Sequence, residues 1–87
     1  MYNVVYEKRA LKAILSLKAA GLGVEVRKLI DVIRENPYHN SPPYESLTGD
    51  LKGFYSRRIN IQHRLVYQVY EEEKTVKIVS MWKHYEF

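Results

Sequence analysis

No cysteine occurs anywhere in the 87 residues, so neither a disulfide framework nor a thiolate metal site is available to this chain. No apolar run approaches the roughly 20 residues of a membrane-spanning helix, and no signal-peptide pattern opens the chain. The expected compartment is the cytoplasm, with no membrane partner. Glycine and proline are sparse, four and three, and no repeat or low-complexity tract appears. Acidic residues are missing from residues 51–70, a stretch that carries Lys52, Arg57, Arg58 and Arg64.

What is there is ordinary globular composition, 46% hydrophobic and 28% charged, which argues against disorder. The length allows a single domain, residues 1–87, whose small core buries about two-thirds of the unfolded surface. Fourteen Lys and Arg against ten Asp and Glu give a net charge of +4 and a pI near 9.4. The acids that balance 51–70 bunch at Glu71, Glu72 and Glu73. A local basic surface suits a polyanionic partner, RNA or DNA, through phosphate contacts, to which Lys52 and Arg57 would contribute. On charge alone, a solvated strand face explains the same residues. Eight of the eleven aromatics are tyrosines, half-wet rings of the kind on which single-stranded RNA bases stack; Tyr55 lies within the basic stretch.

The patterning orders the elements. Tyr2 to Tyr6 reads as a first strand. Ala10, Leu11, Ile14, Leu15 and Lys18 then recur at three and four, predicting an amphipathic helix that ends near Ala20–Gly21. Val26, Leu29, Ile30 and Ile33 predict a second helix, stopped by Asn36–Pro37. All three prolines fall within residues 37–43, so 37–44 reads as a loop leading into Glu45. Phe54 to Ile59, His63 to Tyr70 and Thr75 to Trp82 read as antiparallel strands. The expected fold class is α+β, β-α-α-β-β-β, with a helical hairpin packed on one face of an antiparallel sheet. A three-residue loop of Asn60, Ile61 and Gln62 would set Arg58 directly across from Arg64, a like-charge pair that a sheet tolerates more readily where an anion sits between them. A four-residue loop would pair Arg58 with Leu65 instead.

Three blocks carry a resemblance: Leu51-Lys-Gly-Phe-Tyr-Ser-Arg-Arg-Ile59, His63-Arg-Leu-Val-Tyr67 and His84-Tyr85. Together they resemble the YoeB (Txe) branch of the RelE superfamily of bacterial toxins. The resemblance implies an endoribonuclease that cuts mRNA in the ribosomal A site and is held inactive by a YefM-type antitoxin; a homodimer stays open. It places the general base on Glu45, the phosphate-binding arginines on Arg58 and Arg64, the general acid on His84 and a further site tyrosine on Tyr85. Tyr44 stands where relatives commonly have proline, Thr48 replaces a common lysine, and Glu86–Phe87 extend past the His-Tyr pair.

The residue types suit such chemistry on their own terms. Cleaving RNA by its own 2′-hydroxyl needs a base on that oxygen, an acid on the departing 5′-oxygen and cations on the phosphate. Histidine starts near pKa ~6.5, and a neighbouring phosphate or carboxylate keeps it protonated for donation. Arginine presents a planar, permanently charged fork to phosphate. No metal or other cofactor is expected, since three histidines without cysteines or an acidic cluster make no convincing ligand set. Blander readings exist for each residue: Glu45 as a loop carboxylate pairing with Arg58, the arginines as solvated strand residues, His84 as a surface side chain, and His63 as padding for the hairpin. Competing functions are a ParE-like toxin that inhibits gyrase without cutting RNA, and a basic module that only binds.

Overall fold

The computed structural model describes residues 1–81. The chain runs β1 (Asn3–Tyr6), α1 (Lys8–Ala19), α2 (Gly23–Glu35), β2 (Tyr44–Ser46), a single 3-10 turn (Gly49–Leu51), β3 (Phe54–Arg58), β4 (Arg64–Tyr70) and β5 (Thr75–Ser80). One five-stranded sheet results, in the order β1-β5-β4-β3-β2, parallel between β1 and β5 and antiparallel elsewhere. β4 is the central strand, and Leu65, Val66 and Tyr67 are fully buried along it.

The helical hairpin forms where the apolar spacing places it. α2 buries Val26, Leu29, Ile30 and Ile33. α1 is turned relative to the expected face: Ala10, Ala13 and Leu17 point inward with Ile14 packed beside them, while Leu11 and Leu15 stay about half and two-thirds exposed. Two alanines at the contact let the helix backbone approach the sheet closely, so Ala10 and Ala13, with Leu17, line the interface rather than Leu11 and Leu15. α1 ends in a Schellman motif, in which Gly21 takes φ 79°. Its N–H bonds the Lys18 carbonyl at 3.0 Å, and the Leu22 N–H bonds that of Leu17 at 2.9 Å. The core joins these helix residues to Leu65, Tyr67, Val76, Ile78 and Met81 on one face of the sheet.

Two features correct the expected strand order. The sheet has five strands rather than four, because residues 44–46, expected to leave a loop, pair with β3 as an edge strand. β5 carries an irregularity: Val66 pairs with Ser80 and Tyr67 with Ile78, which leaves Val79 as an extra residue. That bulge shifts the alternation, so Ser80 shares a face with Val66 and Met81 returns to the core.

Candidate active site

The face of the sheet away from the helices carries Glu45, Arg58 and Arg64 at its β2–β3–β4 end. The β3–β4 hairpin fixes them. Asn60 accepts hydrogen bonds through Oδ1 from the backbone N–H groups of Gln62 at 2.9 Å and His63 at 2.8 Å. The Ile59 N–H closes the loop on the His63 carbonyl at 2.8 Å. The loop is therefore Asn60-Ile61-Gln62, and Arg58 pairs directly with Arg64. His63 is buried within the hairpin, in keeping with a padding role.

Register carries Glu45 to the same place. Glu45 pairs with Ser56, and Ser56 with Val66. Cross-strand partners share a face and residues two apart repeat it, so Glu45, Ser56, Arg58 and Arg64 lie on one side. They border an open cleft of about 740 Å³, with Pro42, Pro43 and Tyr44 along one wall and Asn60 and Ile61 at the other. Arg64 donates from Nη1 to Glu45 Oε1 at 2.9 Å, the arginine side chain 27% and the carboxylate 63% exposed. An exposed pair of this kind adds little to stability. Its consequence is positional: the carboxylate is held beside the cleft cations. Among the described residues, Arg58 pairs with no carboxylate. The cleft thus presents two guanidiniums and one carboxylate to whatever enters it.

Other expected residues fall elsewhere. The alternation that turns Arg58 into the cleft turns Arg57 and Tyr55 to the helix-bearing face. Arg57, expected to contact RNA, is only 1% exposed, and its guanidinium bonds the carbonyls of Pro37, His39 and Pro42 and the Tyr67 hydroxyl. A buried guanidinium so engaged has no surface to offer a phosphate. Tyr55, expected as a stacking platform, packs its ring among Tyr38, Tyr44 and Tyr67, with centroids 5.6–5.8 Å apart. Lys52 is exposed just after the 3-10 turn and does not line the cleft. His84 and Tyr85 lie outside the described residues. Among the described residues no group of three or more His, Cys, Asp or Glu side chains could hold a metal ion, and no helix is long and apolar enough to cross a membrane.

The sequence reading missed Ile61 and Ser56. Ile61 stands 92% exposed at the loop tip beside the cleft. An isoleucine inside a three-residue hairpin loop, where polar residues are the rule, was the available signal. Ser56 is 1% exposed and shares the cleft face between Glu45 and Arg58. Period-two spacing from Arg58 would have found it.

Comparison with known proteins identifies the family. A family model described as the YoeB-like toxin of bacterial type II toxin–antitoxin systems matches residues 7–85. A YoeB toxin of Mycobacterium bovis is 39% identical over 51 residues, 59% of this chain and 60% of that protein, so the match spans less than two-thirds of that relative's length. A YoeB toxin of Escherichia coli is 36% identical over 61 residues, 70% of each chain. Among solved structures, a YoeB/ParE toxin from Agrobacterium tumefaciens superposes with a TM-score of 0.86 at 25% identity, covering 95% of this chain and 99% of that one. A YoeB–YefM toxin–antitoxin complex from Staphylococcus aureus gives 0.80 at 30% identity, covering 98% and 99%. With the family model running across nearly all of the chain and the solved relatives sharing its whole architecture, the chain belongs to the YoeB-like family of bacterial type II toxin–antitoxin toxins.

Proposed function

We propose that this protein is a ribosome-dependent mRNA endoribonuclease that inhibits translation. The observation that carries the reading is the Glu45 carboxylate held 2.9 Å from Arg64 on the same cleft face as Arg58. In this scheme Glu45 takes the proton from the 2′-hydroxyl of the RNA, and that oxygen attacks the adjacent phosphorus. Arg58 and Arg64 hold the phosphate while negative charge builds on its oxygens. His84 gives a proton to the departing 5′-oxygen, and Tyr85 is the further site tyrosine. The products are a 2′,3′-cyclic phosphate and a 5′-hydroxyl. Each step moves a proton or neutralises charge, so the chemistry is within reach of side chains without a metal. Phosphate binding competes with Glu45 for Arg64, which frees the carboxylate to act as a base.

A YefM-type antitoxin partner is supported by the Staphylococcus aureus YoeB–YefM complex. A second YoeB copy is supported by the dimer of the same toxin, at TM-score 0.76 and 29% identity. The +4 charge suits an acidic antitoxin segment as well as RNA. The proposed setting is the cytoplasm, with residues 1–87 acting as one domain and Lys52 meeting phosphates beyond the cleft.

The test is to incubate the purified protein with programmed ribosomes and map the mRNA ends. The expected result is cleavage in the A-site codon, leaving a cyclic phosphate. E45Q and H84Q should each lower cleavage by about 10²–10⁴-fold. Intact mRNA together with inhibition of gyrase would replace this reading with that of a ParE-like toxin.

A further inference from the structure

Glu45 sits on a strand that has little reason of its own to stay in place. Among the described residues β2, three residues long, lies at the sheet edge and pairs only with β3. An irregular stretch precedes it from Asn36. A slip of one residue against β3 would turn Glu45 onto the helix-bearing face and remove it from the cleft. Something outside β2 must define this register.

We propose that Arg57 is a positioning residue: its buried guanidinium clasps residues 37–43 and fixes the register of β2, and with it the place of Glu45 in the cleft. Nη1 donates to the Pro42 carbonyl at 2.6 Å, and Nη2 to those of His39 at 2.6 Å and Pro37 at 3.1 Å. Nε donates to the Tyr67 hydroxyl at 3.2 Å, which itself donates to the Pro37 carbonyl at 2.7 Å. The guanidinium carbon also lies 5.3 Å from the centroid of the Tyr44 ring, the residue paired with Arg57 across the strands. Among the described residues no carboxylate pairs with it. Its charge is met by carbonyl dipoles, all of them from the segment that leads into β2. The binding of this cation and the shape of that segment are therefore one event. Lysine keeps the charge, but one ammonium cannot span three carbonyls and a phenol.

The catalytic half of this inference rests on the nuclease reading; the structural half does not. Two full-length variants test both, R57K and the milder Y67F, each first confirmed to melt cooperatively. Y67F keeps the inference open to test should R57K fail to fold. Amide hydrogen exchange should quicken at residues 44–47 and leave β4 and β5 unchanged. Single-turnover cleavage on saturating programmed ribosomes should fall about a hundredfold in R57K, the scale expected of a misplaced reacting group. KM should not rise by more than about threefold, because displacing Glu45 removes a competitor for Arg64 rather than a contact to the substrate. Exchange at 44–47 equal to wild type, or quickened evenly across the sheet, overturns the clasp. Quickened exchange at 44–47 with undiminished cleavage overturns the link to Glu45. A wild-type protein that leaves ribosomal mRNA intact sinks the nuclease reading, while the exchange data still decide the clasp.

Discussion

Arg58 and Arg64 stand directly opposite each other on adjacent strands, and a sheet built for stability alone would not place them so. Glu45 relieves part of the repulsion through Arg64, and Arg58 is exposed, so the residual cost is small, about 0.2–1 kcal/mol. The expected benefit is larger: removing one electrostatic contact to a developing anion typically costs on the order of 3 kcal/mol in the transition state. R58A should therefore melt slightly higher than wild type at low salt while cleaving on the order of a hundredfold more slowly. Inorganic phosphate should raise the melting temperature of wild type more than that of R58A. Differential scanning fluorimetry with and without phosphate, alongside cleavage rates, checks both. A lower melting temperature for R58A would mean that the side chain is structural. The sequence offered this opposition as one of two outcomes set by the loop length, and the folded hairpin, with three residues in the loop, decides for it. The inward turn of Arg57 was legible in principle too, since neighbouring strand residues face opposite ways. Its partners were not, for they are backbone carbonyls 15 to 20 residues away that only the folded chain brings together.

At the scale of elements, the β3–β4 hairpin depends on one side chain. Asn60 Oδ1 satisfies two backbone N–H groups, so N60A leaves both without that acceptor and should cost about 1–2 kcal/mol. Since the same loop sets Arg58 against Arg64, cleavage should fall further than stability explains. A urea melt paired with cleavage rates under fully folded conditions checks this. A second local device ties the β4–β5 turn to the rest of the fold. Glu71 accepts from Tyr2 at 2.7 Å, Lys74 at 3.0 Å and Tyr38 at 3.1 Å. The Tyr2 hydrogen bond, then that of Lys74, holds its carboxyl below the usual 4.5. A carboxyl lowered on folding contributes stability that is present above its unfolded value and is lost as pH falls through its folded one. Stability should therefore decline as pH drops below about 4.5, and E71Q should flatten that part of the curve. Thermal melts between about pH 3 and pH 7 read the difference. Of the elements themselves, the helices and long strands were readable because each repeats its apolar period over several turns or pairs. β2 was not: three residues are too few for a period, and two prolines just before them signal a loop. Its strand character comes from β3 and from the Arg57 contacts, none of which is local. The turned face of α1 escaped for a related reason. Leucine and alanine both count as apolar, and only the distance to the sheet decides which of them faces it.

For the whole molecule, the cleft arginines and the run of acids after β4 occupy different regions. Arg58 and Arg64 open onto the cleft, and Glu71, Glu72 and Glu73 sit at and beyond the far end of β4. Binding of a single-stranded polyanion at the cleft should release condensed counterions, so the logarithm of the association constant falls linearly with that of salt, with a slope of about −0.7 per phosphate neutralised. A 2′-deoxy oligonucleotide, which lacks the attacking hydroxyl, allows this to be measured without cleavage. If Arg58 and Arg64 share a single phosphate, R58A and R64A should each shallow the slope by less than about 0.7, and R58A/R64A by about 0.7 in total. If they bind separate phosphates, each should remove about 0.7 and the double variant about 1.4. Arg57, buried on the other face, should leave the slope unchanged in R57K while cleavage falls. That contrast separates a side chain that meets the nucleic acid from one that shapes the site behind it. A slope unmoved by loss of both cleft arginines would place the RNA on another surface and leave the Glu45–Arg64 pair without a substrate.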